Sequence, residues 1–203
     1  MIIRDLSFVV SGGEALLLTG RNGAGKTTLL RALAGYLRPV SGSIRLAGGD
    51  PQSSLGEQAH VVAHANAIKT ALTVRENVAF WQKFLHVGAD QSDAIDKALA
   101  QFGLSDLSDF PAGYLSAGQK RRLGLARLLC ADRPVWLLDE PTVSLDTASS
   151  AMLADAVNDH TRAGGIAIAA THLPIGLERA RELKLNGSAL LQGTASPSEA
   201  GGA

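Results

Sequence analysis

Apolar residues recur along this chain in two periods, and the two alternate. Unbroken apolar runs of strand length occur in ALLLT (15–19), PVWLLDEP (134–141) and GIAIAATH (165–172), as expected for strands buried on both faces. IIRDLSFVV (2–10) alternates apolar with polar, and SIRLA (43–47) and HVVAH (60–64) read as further short strands. Helical spacing appears between them. KTTLLRALAGYL puts Leu29, Leu30, Leu33 and Leu37 on one face, and LSAGQKRRLGLARLLC (115–130), DTASSAMLADAVNDHTR (146–162) and PIGLERAREL (174–183) continue the pattern. LTVRENVAFWQKFL and QSDAIDKALAQFG are two amphipathic helices joined by HVGAD, a helical insertion over about residues 70–116. Strands alternating with helices predict an α/β fold with a mainly parallel sheet. The expected organisation is one domain over 1–185, with a short polar tail, 186–203, that frays.

Composition narrows the partners. The 203 residues carry 19 basic and 19 acidic side chains, so no global field draws the chain to nucleic acid or anionic lipid, and no nucleic-acid partner is expected. No apolar run approaches the roughly 18 residues of a membrane span, and MIIRDLSF lacks the features of a signal peptide. The single cysteine, Cys130, sits in an apolar run and reads as a core thiol.

Three motifs carry chemistry. The first is Gly20-Arg21-Asn22-Gly23-Ala24-Gly25-Lys26-Thr27, followed by Thr28, which fits GxxxxGK[ST] between a predicted strand and helix. Its glycines let backbone N–H groups wrap phosphate oxygens, Lys26 neutralises the β and γ phosphates, and the Thr27 hydroxyl can hold Mg²⁺. A nucleoside triphosphate site with Mg²⁺ follows. The second is VWLLDEP, which delivers two carboxylates at a strand end. Asp139 can hold the metal, directly or through water, and Glu140 can orient and deprotonate an attacking water. The third is LSAGQKRR, where Ser116 and the backbone around Gly118 stand at a helix N-terminus suited to an anion; alone, that pattern reads first as a plain helix start.

LSAGQ, lying between the other two motifs, resembles the LSGGQ signature of the ATP-binding cassette (ABC) family, with Ala117 in place of a glycine. The resemblance spans roughly residues 2–185. It implies the P-loop fold of ABC ATPases, with an inserted α-helical subdomain and an N-terminal β element, and ATP as the nucleotide. It implies also that Ser116, Ala117, Gly118 and Gln119 meet ATP held by a second ATPase copy, hence a homodimer in the ATP-bound state. Asp146 of SLD resembles the loop through which cassettes contact each other, and His172 resembles the switch histidine at the γ phosphate. A histidine after a strand is otherwise a surface residue or a cap. The family's adenine-stacking aromatic stands one strand further upstream than this sequence reaches; Phe8, the nearby aromatic, reads as core.

Within the family, AHxxxIKTxLTVxEN looks most like ATPases of c-type cytochrome maturation, of the haem-exporter type. That likeness implies an integral membrane permease subunit of the cytochrome c maturation system as partner, release of a haem-loaded chaperone as the coupled event, and a peripheral position on the cytoplasmic face of the bacterial inner membrane. A transporter ATPase for a drug, lipid or polysaccharide shares every motif except that string, and a soluble cassette acting on ribosome or DNA stands behind both. Nine residues before Thr73, where the family places a glutamine, stands His64; a one-residue gap would select Ala65 instead. His64 is either a strand-end histidine bonded to backbone or a neutral imidazole that holds the attacking water and loses that capacity on protonation.

Overall fold

The computed structural model describes residues 3–85, 92–172 and 175–186. Its centre is a five-stranded parallel sheet. The strands are β1 (Ala15–Thr19), β2 (Ala59–Val62), β3 (Val135–Asp139), β4 (Ile166–Ala170) and β5 (Ala180–Lys184), in the spatial order β2-β3-β4-β1-β5. The helices are α1 (Lys26–Leu33), α2 (Val74–Leu85), α3 (Ser92–Gln101), α4 (Ala117–Ala126) and α5 (Thr147–Arg162).

The central strands read as continuous apolar runs because both faces of the sheet are covered. Successive residues divide between two cores, as the period of two demands. Leu16, Leu18, Val135, Leu137, Ile168 and Ala170 pack with Leu29, Leu30 and Leu33 of α1 on one face. Ala15, Trp136, Leu138, Ala167 and Ala169 face the other way, toward Leu153 and Val157 of α5. The same second core takes in Val78 of α2, Leu99 of α3 and Leu123 of α4, together with Phe102. Cys130 is buried there, and burial pushes its thiol up to about 12, so it is an inert core residue.

Three expectations are corrected. Residues 3–10 and 43–47 are not in the sheet. Ile3, Leu6, Phe8 and Val10, and likewise Ile44 and Leu46, do turn partly inward against the α1-side core. Their alternation therefore reports a half-buried face, whereas a strand also needs a neighbouring backbone to pair with, and Asp5 at φ 49° breaks the first segment. The final helix over 174–183 is absent in its described part: Gly176 turns the chain at φ 77°, and Ala180–Lys184 extends as β5 beside β1. This edge strand is largely exposed and carries Arg181, Glu182 and Lys184, so its sequence shows charges that blunt an edge in place of strand-like hydrophobicity. The HVGAD link and the tail from residue 187 lie outside the described residues.

Candidate functional site

The strand order decides which loops meet. β4 lies between β1 and β3, and its register pairs Ala170 with Asp139 on one side and with Leu18 on the other. The residues that leave the carboxyl ends of β1, β3 and β4 are therefore neighbours, although they are spread over more than a hundred positions of sequence. Glu140 N donates to Ala170 O at 2.9 Å, extending the β3–β4 pairing by one residue into the turn.

Beyond β1 the chain turns through Gly20 at φ 133° and enters α1 from Gly25 at φ 105°, which gives the helix no side-chain cap. A Cβ at Gly20 would meet Leu185 O at 2.2 Å, so glycine is required there by both conformation and space. The first turn of α1 carries no acidic residue, leaving its N–H groups and dipole available to an anion. Lys26 is buried, and its ammonium donates to Gly20 O at 2.8 Å and Arg21 O at 3.4 Å, curling back over the loop it follows. Arg21, Asn22 and Gly23 are exposed, Ala24 is buried, and Thr28 is partly buried.

The Thr27 hydroxyl donates to Asp139 Oδ1 at 3.2 Å. Two hard oxygen donors from different motifs thus converge beside the phosphate loop, a set that suits Mg²⁺, which takes few protein ligands and completes its octahedron with water and phosphate. Next to Asp139, Glu140 stands at φ 46°, a sparsely populated region for a non-glycine residue. Its Oε1 lies 3.3 Å from His172 Nε2, and both side chains are partly open to solvent. A carboxylate that can take a proton and an imidazole that can orient it are brought together by the β3–β4 pairing.

The remaining predicted residues are placed around this centre. Ser116 is the N-cap of α4 in a reciprocal capping box: Gln119 N donates to Ser116 Oγ at 3.2 Å and Ser116 N donates to Gln119 Oε1 at 2.8 Å. Both side chains therefore have a structural task, while Ala117 is exposed. A Cβ at Gly118 would come within 3.2 Å of Ser144 O, so the signature turn leans on the loop that carries Asp146. Asp146 caps α5 by accepting from Ser149 N at 2.7 Å, and that bond holds its carboxyl below the usual carboxylate range. His64 is exposed in the bend after β2.

Arg121 joins the site although it is not among the residues the motifs single out. This residue of α4 is buried, and its guanidinium reaches the Asp139–Pro141 turn and the loop after β2 together. The signal was present: Arg121, Leu125 and Leu128 share one apolar stripe, where a cation requires polar partners.

Comparison with known proteins identifies the family and the fold. The ABC transporter family matches residues 3–143. The chain is 52% identical over 191 residues to the cytochrome c biogenesis ATP-binding export protein CcmA of Agrobacterium fabrum, covering 93% of this chain and 90% of that one. It is 50% identical over 188 residues to the protein of the same name from Rhodopseudomonas palustris, covering 93% and 92%. Among solved structures it resembles the ATP binding subunit of an ABC transporter, with a TM-score of 0.75 at 25% identity over 91% of this chain and 79% of that one. A dimeric post-hydrolysis state of an ATP-binding cassette bound to ADP and Pi shares the fold, with a TM-score of 0.75 at 22% identity over 88% and 84%.

Proposed function

The chain belongs to the ABC transporter family, and from that premise we propose that it is the ATP-hydrolysing subunit of a membrane export complex serving c-type cytochrome biogenesis. The observation that carries the catalytic half of this reading is the pair of contacts at neighbouring strand ends: Thr27 to Asp139 at 3.2 Å and Glu140 to His172 at 3.3 Å. Relatives named as cytochrome c biogenesis ATP-binding export proteins, alike over 93% of the chain, support the biological half.

In this reading the backbone of residues 20–27 and the N-terminus of α1 hold the ATP phosphates, and Lys26 turns from its loop carbonyls to neutralise the β and γ oxygens. Thr27 and Asp139 would hold Mg²⁺, which supplies charge neutralisation across the phosphates. Glu140 accepts the proton of the attacking water, and His172 orients that carboxylate and donates toward the γ phosphate. The signature residues Ser116 to Gln119 of one copy serve ATP on a second copy, and Asp146 lies at that contact. His64 is proposed at the loop position where the family holds water or metal-bound water.

The membrane half of the complex is proposed to be an integral permease subunit of cytochrome c maturation, with this chain peripheral on the cytoplasmic face of the inner membrane and turnover coupled to release of a haem-loaded chaperone. Among the described residues, no helix is long and apolar enough to cross a membrane. Affinity purification from detergent-solubilised membranes, followed by mass spectrometry and haem absorbance, tests this. A co-purifying integral membrane protein of the maturation system is expected; recovery without any integral membrane chain would sink the export reading.

A further inference from the structure

Arg121 lies in the middle of α4 with only 3% of its surface exposed. Its five donors are used inward. Nε donates to Pro141 O at 3.1 Å, Nη1 to Ala63 O at 3.0 Å and Asn66 Oδ1 at 2.9 Å, and Nη2 to Glu140 O at 2.8 Å and Asp139 O at 3.4 Å. Every partner is a carbonyl or amide oxygen, so one planar cation gathers three consecutive carbonyls of the Asp139–Pro141 turn and two acceptors of the loop after β2. Burial lowers the guanidinium pKa and the nearby Asp139 carboxylate opposes that shift, consistent with a charge retained inside the fold.

Two features give this hub a consequence. Glu140 is held at φ 46°, a conformation that persists only where the surroundings fix it, and its own carbonyl makes the shortest of the five bonds to Arg121. The loop from Ala63 to Thr73 is in turn tied down along its length. Asn77, 2% exposed, accepts from Lys69 N at 2.8 Å and donates to Lys69 O at 3.0 Å and Thr73 O at 2.9 Å, while Trp81 Nε1 donates to Ala67 O at 3.3 Å. Of these ties, Arg121 is the one that also touches the turn carrying Glu140.

We propose that Arg121 is a positioning residue: it holds the Glu140 turn in its positive-φ form and makes that form depend on where residues 63–66 lie. This rests on the reading of Glu140 as the group that accepts the water proton. Displacement of the loop by a bound partner would then reach the Glu140 carboxylate through Arg121.

The full-length chain carrying Arg121→Lys, Asn66→Ala, or both tests this by steady-state ATP turnover and by hydrogen exchange of the peptide containing residues 139–143. Lysine keeps the charge but offers three donors from one point in place of a planar fork, so Arg121→Lys should lower kcat about tenfold or more with KM within about threefold. Asn66→Ala should lower kcat roughly three- to tenfold, and the double variant should be no slower than Arg121→Lys alone, because both act through one connection. Exchange in 139–143 should rise in each. A kcat for Arg121→Lys within about threefold of the unsubstituted chain, or losses that multiply in the double variant, would overturn the proposal. Should Arg121→Lys fail to fold, Asn66→Ala decides: unchanged turnover and unchanged exchange overturn it. Glu140→Gln, run alongside, separates the two layers. If it turns over normally, the reading of Glu140 fails; if it is slow while Arg121→Lys and Asn66→Ala are not, only the role of Arg121 fails.

Discussion

His172 Nε2 sits 3.3 Å from Glu140 Oε1, and the residue bearing that carboxylate stands at φ 46° at the first position beyond β3. The pairing of β3 with β4 creates this contact, since Glu140 N is bonded to Ala170 O two residues before His172. The two side chains follow different strands and form one unit only because those strands are adjacent.

Replacing Glu140 by Gln keeps the shape of that unit and removes its proton acceptor. ATP hydrolysis should slow by roughly 10²-fold or more while nucleotide still binds, so that an ATP-bound dimer accumulates. Phosphate release and size-exclusion chromatography with ATP check both; near-normal turnover would remove Glu140 from the role of base.

Lys26→Ala should abolish ATP-dependent dimerisation. The ammonium that now closes on Gly20 O and Arg21 O is the charge positioned to meet the phosphates. Titration with a fluorescent ATP analogue measures it, and unaltered affinity would contradict the phosphate-loop reading.

His64 is exposed in the bend following β2, where its imidazole is open to solvent. His64→Gln should retain ATP turnover, because the amide keeps an acceptor for water, whereas His64→Ala should lower kcat. Equal turnover in His64→Ala and the unsubstituted chain would assign His64 no part in catalysis.

Stability should fall in mild acid for a reason remote from the site. His60 is a buried residue of β2, with Nε2 against Ala131 O at 2.8 Å, and burial lowers its pKa from 6.5 to about 4. The unfolded chain therefore binds a proton that the folded chain refuses between those values. Stability present above pH 6.5 is lost as pH falls toward about 4, on the order of 3 kcal/mol in all. His160, stacked on Trp136 at 4.1 Å between centroids and also shifted down by burial, acts in the same direction. Urea midpoints between pH 7.5 and 5 should decline, and His60→Asn should make the decline shallower; an equal slope in that variant would exclude His60 as its source.

The sequence by itself determined the elements that carry the chemistry. ALLLT, VWLLD and IAIAA were legible as buried strands because a strand covered on both faces must be apolar throughout. The phosphate loop was legible because glycines, lysine and threonine at fixed spacing admit few other uses. β5 was not legible: an edge strand half in solvent is free to carry Arg181, Glu182 and Lys184, and its only signature is a neighbour, β1, more than 160 residues away in sequence. For Arg121 the sequence shows only a cation on an apolar stripe, not its partners, since four of its five acceptors are backbone carbonyls, which every residue type supplies and no sequence pattern marks. Tertiary structure alone decided that β4 would lie between β1 and β3, and with it that Thr27 would reach Asp139 and Glu140 would face His172. Local spacing fixes which groups stand at the ends of strands; which ends meet is set by strand order, a long-range pairing that no window of sequence contains.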